Sequence, residues 1–395
     1  MLDPVEIIPN VWWVGAVDWN ERNFHGYTTD RGSTYNAYLI MDDHITLIDT
    51  VKKTFFDEMI ERISQVTDPK NIEYVVSNHV EQDHSSGLPQ FMKLVPNAKI
   101  YSSSPKGIEG LKAHYGEIGE FVPVKTGDTL DTGHHTLEFI QTPMLHWPDS
   151  MATYMQEDKL LFSMDAFGQH IATSQRFDYE VDFNEVMIQA SKYYANIVMP
   201  YGIQVAKTLD ALSGYEMDII APAHGIIWKD HIADIVARYS KWANNELEDY
   251  AIVVYDTMWH STELMAKEIL EAFIAKGIPA RLFDLKYNHI SDVITETLDA
   301  KYIAVGSPTL NSGMMPNVAA FLTYLKGLTP KTRHAIGIPF GSYGWGGQSV
   351  PQIEEELKKT GMELPFGSFK QQWIPDDKAL SGIKESIEKG LDELK

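Results

Sequence analysis

Cysteine is absent from this chain of 395 residues. Its absence excludes disulfide bonds, thiolate-bound zinc, iron–sulfur clusters and a cysteine nucleophile, so any metal ion must be held by histidine, aspartate or glutamate. Basic residues are also few: 33 lysines and arginines stand against 55 aspartates and glutamates, a net charge of −22. Such a charge repels phosphate backbones and anionic headgroups, so we expect neither nucleic acid nor a membrane as a partner.

Long apolar runs and a secretory leader are lacking as well. No stretch approaches the ~18 consecutive apolar residues of a transmembrane helix. The first residues, MLDPVEIIPN, have neither the basic segment nor the apolar core of a signal peptide. We therefore expect a cytoplasmic protein.

The pattern of apolar and polar residues changes near residue 250. The continuous apolar run AIVVY (251–255) is typical of a strand buried on both faces of a parallel sheet. Strand-like segments at 280–285, 302–306 and 335–339 then alternate with segments that carry apolar residues at helical spacing. This alternation predicts a doubly wound α/β sheet, with ligands beyond the carboxyl ends of its strands.

Residues before 250 have a different pattern. Short strand candidates occur in groups at 35–40, 45–50, 74–78, 136–141 and 159–163, with helical stretches between some of them. This pattern indicates two sheets with helices on the outside. We therefore predict two domains, residues 1–249 and 250–395.

Four potential metal ligands fall within six residues directly after the apolar strand YVVSN (74–78). They are His79, Glu81, Asp83 and His84. Imidazole nitrogens together with carboxylate oxygens suit a divalent transition metal. A polar surface turn is the alternative, which the density of the cluster disfavours.

Three more residues of ligand type have a similar setting. His146 lies in PMLHWPDS, Asp165 follows the apolar strand KLLFS (159–163), and His224 lies in IIAPAHG, ahead of a glycine. Each alone suits a structural role. Together they indicate one metal centre built at the ends of apolar strands.

Three loops of the second half form a second set of candidates. The loop Asp256–Thr262 opens a helix, where hydroxyl groups, backbone N–H groups and the helix dipole favour a phosphate. It has no lysine or arginine and no GxxxxGK[ST] pattern, so it fits an FMN phosphate held by neutral donors. Loops 307–311 and 341–347 follow the third and fourth strands of this half, and Tyr343 or Trp345 could stack on a flavin ring.

The pattern His-x-Glu-x-Asp-His, followed by His146, Asp165 and His224, resembles the metallo-β-lactamase superfamily and, within it, the flavodiiron proteins. The three later loops resemble flavodoxin, so the resemblance covers essentially the whole chain. It implies an α/β protein with a metallo-β-lactamase-like αββα sandwich followed by a flavodoxin-like doubly wound parallel sheet. Zinc hydrolases of the superfamily usually carry histidine at the position of Glu81, and a second carboxylate favours iron over zinc.

The resemblance also implies the cofactors, two irons and one FMN per chain, and their sites. His79, Glu81 and His146 would bind one iron, Asp83, His84 and His224 the other, and Asp165 would bridge them. In some members the counterpart of His84 turns away and water replaces it. His25, Trp147 and Tyr194 match positions near the diiron pocket, with ordinary packing as the alternative role. The implied FMN-binding residues are Thr257, Met258, Trp259, Ser261, Thr262, Ser307, Pro308, Thr309, Asn311, Ser342, Tyr343, Gly344, Trp345 and Gly346.

The implied function is that of a flavodiiron oxidoreductase that reduces O₂ to water, NO to N₂O, or both. Two Fe(II) ions and FMNH₂ together supply the four electrons that O₂ requires. Because the chain has no cysteine to form a rubredoxin centre, electrons would arrive from a separate rubredoxin, a reduced deazaflavin or a nicotinamide-linked reductase. The implied assembly is a head-to-tail homodimer, with a tetramer as the alternative.

Two other functions remain open at this stage. One is a zinc-dependent metallo-β-lactamase-type hydrolase fused to a flavodoxin electron-transfer domain, which Glu81 disfavours. The other is an electron-carrying flavodoxin attached to a degenerate scaffold without activity, which the full set of ligand candidates disfavours. Metal analysis discriminates between zinc and iron.

Overall fold

The computed structural model describes residues 3–394. Contacts between Cα atoms divide the chain into two compact units: Met1–Tyr193 with Ile203–Ser240, and Tyr194–Gly202 with Lys241–Lys395. The boundary expected between residues 249 and 250 falls inside a strand that begins at Glu248. None of the described helices is long and apolar enough to cross a membrane.

The first unit contains two main sheets. The first has seven strands in the order β1-β2-β7-β8-β9-β10-β11, and the second has five in the order β12-β13-β14-β15-β16. The strands of this unit are β1 Val5–Ile8, β2 Val11–Trp13, β3 Ala16–Asp18, β4 Asn23–Phe24, β5 Tyr27–Thr28, β6 Ser33–Tyr35, β7 Tyr38–Ile40, β8 Thr46–Ile48, β9 Tyr74–Ser77, β10 Lys99–Ser103, β11 Glu120–Val124, β12 Thr129–Asp131, β13 Thr136–Gln141, β14 Met151–Met155, β15 Leu160–Met164 and β16 Ile219–Pro222.

An apolar core lies between these two sheets. Val76 of the first sheet and Phe139 and Phe162 of the second belong to one cluster of buried side chains. The helices are α1 Phe56–Val66, α2 Gln82–Ser85, α3 Leu88–Leu94, α4 Lys106–Tyr115, α5 Phe183–Tyr193, α6 Gly202–Leu212 and α7 Ile232–Ala243.

Helices cover the outer face of each sheet. A second cluster joins Met59 and Ile63 of α1 to Leu47 and Val75 of the first sheet. A third cluster joins Leu212 of α6 to the second sheet. Helix α1 buries one face because its apolar residues recur at i and i+4. The layers are therefore helix, sheet, sheet, helix, as the resemblance implied.

The second unit contains one parallel sheet in the order β18-β17-β19-β20-β21. Its strands are β17 Glu248–Tyr255, β18 Ala280–Asp284, β19 Ala300–Gly306, β20 Ile336–Tyr343 and β21 Phe369–Gln372, and its helices are α8 Ser261–Ala275, α9 Ile290–Thr297, α10 Pro316–Leu328, α11 Ser349–Lys359 and α12 Asp377–Glu393. Helices α8 and α12 pack together, and α10 packs on α9 and α11. The predicted doubly wound parallel sheet is confirmed.

Candidate metal and flavin sites

The carboxyl ends of neighbouring strands bring the seven metal-ligand candidates together. His79 follows β9, Asp165 follows β15, and His224 follows β16, which is parallel to β15. His146 lies in the loop between β13 and β14. All seven side chains are buried, although each is ionisable: His79, Glu81, Asp83, His84, His146, Asp165 and His224.

The seven residues form two adjacent groups. In the first, Glu81 Oε2 lies 3.3 Å from His79 Nε2 and 3.2 Å from His146 Nε2. In the second, Asp83 Oδ2 lies 3.2 Å from His84 Nε2 and 3.1 Å from His224 Nε2. Within each group the ligand-type atoms lie within 4.8 Å of one another, which is a spacing that one metal ion could bridge.

Asp165 faces both groups at once. Its Oδ2 lies 3.6 Å from His79 Nε2 and 3.5 Å from His146 Nε2. Its Oδ1 lies 3.4 Å from His84 Nε2 and 3.6 Å from His224 Nε2. One carboxylate oxygen is thus directed to each group, and this is the arrangement required of a bridging ligand.

Several buried polar atoms of the cluster have no hydrogen-bond partner within residues 3–394, as expected of groups that bind metal ions. Both carboxylate oxygens of Asp83, both ring nitrogens of His84 and Oδ2 of Asp165 are buried without a hydrogen-bond partner among the described residues. A buried charge without a partner is costly, and a cation in each group removes that cost. The donor set, with nitrogen and several anionic oxygens, fits two iron ions.

The electrostatics of the cluster favour positive charge. Burial alone would raise the pKa of Glu81, but hydrogen bonds from His146, His25 and His79 hold it well below its usual value. Burial alone would lower the pKa of His84, but the nearby carboxylates of Asp83 and Asp165 raise it to about 9. Glu81 therefore remains ionised and attracts cations.

Sequence reasoning missed the groups that orient these imidazoles. Asp149 Oδ2 lies 2.8 Å from His79 Nδ1 and accepts a 2.8 Å hydrogen bond from the Val80 N–H. His224 Nδ1 donates to the backbone carbonyl of Thr34 at 2.6 Å. These contacts turn the Nε2 atoms toward the centre and fix the tautomers that bind metal. A buried aspartate three residues after His146 was the available signal for Asp149.

His25 and Trp147 both contact the cluster. His25 lies in the turn between β4 and β5, and its Nε2 lies 2.5 Å from Glu81 Oε1 while 61% of its side chain is exposed. The hydrogen bond to Glu81 raises the pKa of His25 above its usual value. The Trp147 ring lies edge-on to His79, with 5.1 Å between ring centroids.

Tyr193, rather than Tyr194, contacts the cluster through a hydrogen bond. The Tyr193 hydroxyl donates to Asp165 Oδ1 at 2.9 Å. Tyr194 begins a π-helical turn that groups with the second unit, and its ring lies 4.9 Å from that of Trp242. Consecutive helical residues point in directions about 100° apart, so the shift by one residue changes the environment completely. The sequence predicted Tyr194 near the pocket, whereas the hydrogen bond to Asp165 is made by Tyr193.

The three loops of the second unit line a cavity of about 510 Å³ at the carboxyl edge of the sheet. Eleven of the residues implied for FMN line it: Thr257, Met258, Trp259, Ser261, Pro308, Thr309, Asn311, Ser342, Tyr343, Gly344 and Trp345. Thr262 and Ser307 are fully buried and lie behind this lining, and Thr262 exchanges a 2.8 Å hydrogen bond with Ser342. Gly346 follows the lining residue Trp345 and has a positive φ of 86°.

The structure adds lining residues that sequence reasoning missed. Trp373 and Ile374, directly after β21, contribute exposed apolar surface at the rim. Their segment follows a strand of half-buried and exposed residues with no strong apolar pattern, so no sequence signal marked it. Gly341 has a steric role, because a Cβ there would lie 2.0 Å from the Ser307 carbonyl oxygen. The glycine at this position allows the loops 307–311 and 341–347 to approach each other.

One atom of this cavity tests its fit to a phosphate. The Thr257 hydroxyl is buried and has no hydrogen-bond partner among residues 3–394. It lies just ahead of α8, whose N-terminal N–H groups favour an anion. Tyr343 and Trp345 add aromatic rings to the lining of the same cavity, so the residues fit FMN.

Comparisons with known proteins agree with both halves of this description. Residues 34–225 match the ODP family beta lactamase, and residues 253–390 match flavodoxin. The nitric oxide reductase of Moorella thermoacetica is 45% identical over 383 residues, which cover 95% of each chain.

Solved structures give the same result. The rubredoxin oxygen:oxidoreductase of Desulfovibrio gigas superposes with a TM-score of 0.95 at 38% identity, covering 99% of this chain and 98% of that one. The flavodiiron protein from Giardia intestinalis superposes with a TM-score of 0.95 at 37% identity, covering 99% and 97%. Because the similarity extends through both units at this level of identity, the chain belongs to the flavodiiron protein family.

Proposed function

We propose that this protein is a flavodiiron oxidoreductase that reduces O₂ to water, NO to N₂O, or both. The observation that carries the proposal is the double orientation of Asp165, with one oxygen toward each of two buried ligand groups. Similar proteins are named for both activities, nitric oxide reductase in Moorella thermoacetica and rubredoxin oxygen:oxidoreductase in Desulfovibrio gigas.

Each ligand group has a defined part in this proposal. His79, Glu81 and His146 hold one iron, Asp83, His84 and His224 hold the other, and Asp165 bridges them. When bound, the irons bind and polarise the gas and, together with FMN, supply its electrons. Asp149 and Thr34 keep the imidazoles in the orientation that ligation requires.

Four neighbouring residues complete the reactive pocket. His25 is hydrogen-bonded to Glu81 and exposed to solvent, so it can pass protons from water toward the site. Trp147 packs against His79 and limits water on that side. The Tyr193 hydroxyl holds Asp165, and Tyr194 supports the helix from the next position.

The flavin domain that we predict from the sequence at residues 250–395, after a diiron domain at 1–249, holds FMN in the cavity of the second unit. Thr257, Ser261 and the N-terminus of α8 bind the phosphate, and Tyr343 and Trp345 flank the ring. Thr262, Ser307 and Gly346 shape these loops from behind the lining.

The remaining parts of the proposal concern partners. An external donor reduces the flavin: a rubredoxin, a reduced deazaflavin or a nicotinamide-linked reductase. The chains associate as a head-to-tail homodimer or as a tetramer built from such dimers, and the protein acts in the cytoplasm. The name of the Desulfovibrio gigas relative, rubredoxin oxygen:oxidoreductase, favours rubredoxin as the donor.

Metal and flavin analysis of the purified protein tests the proposal. We expect about two irons and one FMN per chain, because the chain offers two ligand groups and one flavin cavity. After anaerobic reduction, rapid mixing with O₂, which takes four electrons, should reoxidise flavin and iron within one turnover. NO should do so in two turnovers, because each pair of NO molecules takes two electrons. Zinc as the sole stoichiometric metal, without a yellow chromophore, would refute the proposal.

A further inference from the structure

The loop that would receive the flavin phosphate begins with a buried negative charge. Asp256 is the first residue of this loop, directly after β17, and its exposure is 0%. A carboxylate removed from water needs a compensating partner, and a phosphate nearby adds like charge. The loop Asp256–Thr262 contains no lysine or arginine, so the compensation must come from elsewhere in the fold.

That compensation comes from the neighbouring strand. Lys286 follows β18, which pairs with β17, and its Nζ lies 3.7 Å from Asp256 Oδ1. The same ammonium group donates a hydrogen bond to the backbone carbonyl of Thr257. Asn317 at the start of α10 donates to the second oxygen, Asp256 Oδ2, at 3.0 Å.

Asp256 and Lys286 form hydrogen bonds with the backbone N–H and the backbone carbonyl of Thr257. Its N–H donates to Asp256 Oδ1 at 2.7 Å, and its carbonyl oxygen accepts from Lys286. The Thr257 hydroxyl is thereby fixed in a buried position, and it is the group left without a hydrogen-bond partner among the described residues. A donor held in advance binds an anion without a further ordering cost.

We propose that Asp256 and Lys286 are positioning residues for the flavin phosphate, and that Lys286 makes this site prefer FMN to riboflavin. The pair fixes Thr257 toward the phosphate, and the lysine cancels the aspartate charge that would otherwise repel it. This inference rests on the FMN binding proposed above. Lys286 thus supplies a cation to the phosphate site, whose own loop, Asp256–Thr262, contains no lysine or arginine.

Titration of the full-length, flavin-stripped protein with FMN and with riboflavin tests the inference. Quenching of flavin fluorescence gives both dissociation constants. We expect Lys286→Met to raise the dissociation constant of FMN about tenfold, because the buried Asp256 carboxylate then has no cationic partner beside the phosphate. The dissociation constant of riboflavin, which lacks the phosphate, should change by less than about twofold. This small change would show that the rest of the flavin cavity is intact.

Three further variants separate charge from structure. Lys286→Arg keeps the cation and should retain FMN preference. The double variant Asp256→Asn, Lys286→Met removes both charges and should bind FMN more tightly than Lys286→Met alone. Lys276→Met makes the same change in net charge at a lysine paired with Asp392, just past the C-terminus of α8 and so at the opposite end of that helix from the loop, and should bind FMN as the unmodified protein does.

The contrary outcomes are distinct. Equal losses for FMN and riboflavin in Lys286→Met, without recovery in the double variant, would show a purely structural lysine and overturn the inference. Unchanged FMN binding would overturn it as well. Failure of the unmodified protein to bind FMN would instead refute the proposed function.

Discussion

The carboxylate of Glu81 contacts three imidazoles. His25 lies 2.5 Å from its Oε1, and His79 and His146 lie 3.3 Å and 3.2 Å from its Oε2. These contacts keep the pKa of Glu81 far below its usual value although the side chain is buried, so the group is an anion at neutral pH. Anionic oxygen stabilises a hard, highly charged metal better than a neutral imidazole does.

Glu81→His should shift metal preference from iron toward zinc and abolish gas reduction. FMN content should remain unchanged, because the flavin cavity belongs to the other unit. Metal analysis, flavin absorbance and rapid mixing with O₂ and NO measure the three effects. Glu73→His makes the same substitution at a carboxylate that is half exposed and pairs with His44, and should change none of them. Full iron content and activity in Glu81→His would remove Glu81 from the ligand set.

Residues that act locally were easier to predict than residues that act through long-range contacts. The ligand candidates were visible because histidines and carboxylates cluster directly after apolar strands. Asp149 and Thr34 were missed because their partners lie 70 and 190 positions away in the sequence. Tyr193 was exchanged for Tyr194 because a one-residue shift in a helix leaves the sequence pattern almost unchanged while the side chain turns away.

At the scale of elements, prediction succeeded where a strand carries apolar residues in a run or in alternation. The segment 136–141 coincides with β13, and the expected strand 302–306 lies within β19. The strands before Tyr35 were not predicted, because none of them exceeds four residues and their burial is mixed. Strand β21 was also missed, since its side chains alternate between half-buried and exposed without an apolar run.

The turn after β7 and the turn after β12 are joined by one aspartate. Asp42 accepts hydrogen bonds from the backbone N–H groups of His134 and His135, and its oxygens lie 2.8 Å and 2.7 Å from the Nδ1 atoms of their rings. Thr132 also donates to it, at 2.8 Å. Because β7 and β12 belong to different sheets, this contact ties the two sheets together at one end.

Asp42→Ala should destabilise the first unit by about 1–3 kcal/mol, because it removes the acceptor of several hydrogen bonds. Burial would raise the pKa of Asp42, but hydrogen bonds from His134 and its neighbours lower it, so its contribution is lost as pH falls below about 4. The pKa of His134 is raised by Asp42, so its contribution is present below about pH 6.5 and is lost as pH rises through the folded-state value.

The stability difference between Asp42→Ala and the unmodified protein should therefore be largest between about pH 4 and 6.5. Thermal unfolding across pH, followed by circular dichroism, measures it. Asp43→Ala removes the adjacent exposed carboxylate and should have a small effect. A difference that does not vary with pH would show that the charge on these groups is irrelevant to the contact.

For the whole molecule, the central fact is that one chain carries two separate kinds of site. The ligand cluster is built entirely by the first unit, and the flavin cavity entirely by the second. Electrons have to pass from flavin to metal, either within a chain or between chains. In the head-to-tail homodimer proposed above, the flavin of one subunit serves the metal site of its partner. A two-fold interface of this kind is the commonest form of self-association.

Mixed dimers decide between the two routes. Thr257→Ala with Ser261→Ala removes phosphate donors and should yield a subunit with metal and no FMN, and His79→Ala with His146→Ala should yield the reverse. Each variant alone should be inactive. Random mixing with subunit exchange should restore about a quarter of the unmodified activity, because half the dimers are mixed and each mixed dimer has one working flavin–metal pair. Mixed dimers that form but stay inactive, beside an unmodified monomer that turns over, would place electron transfer within the chain.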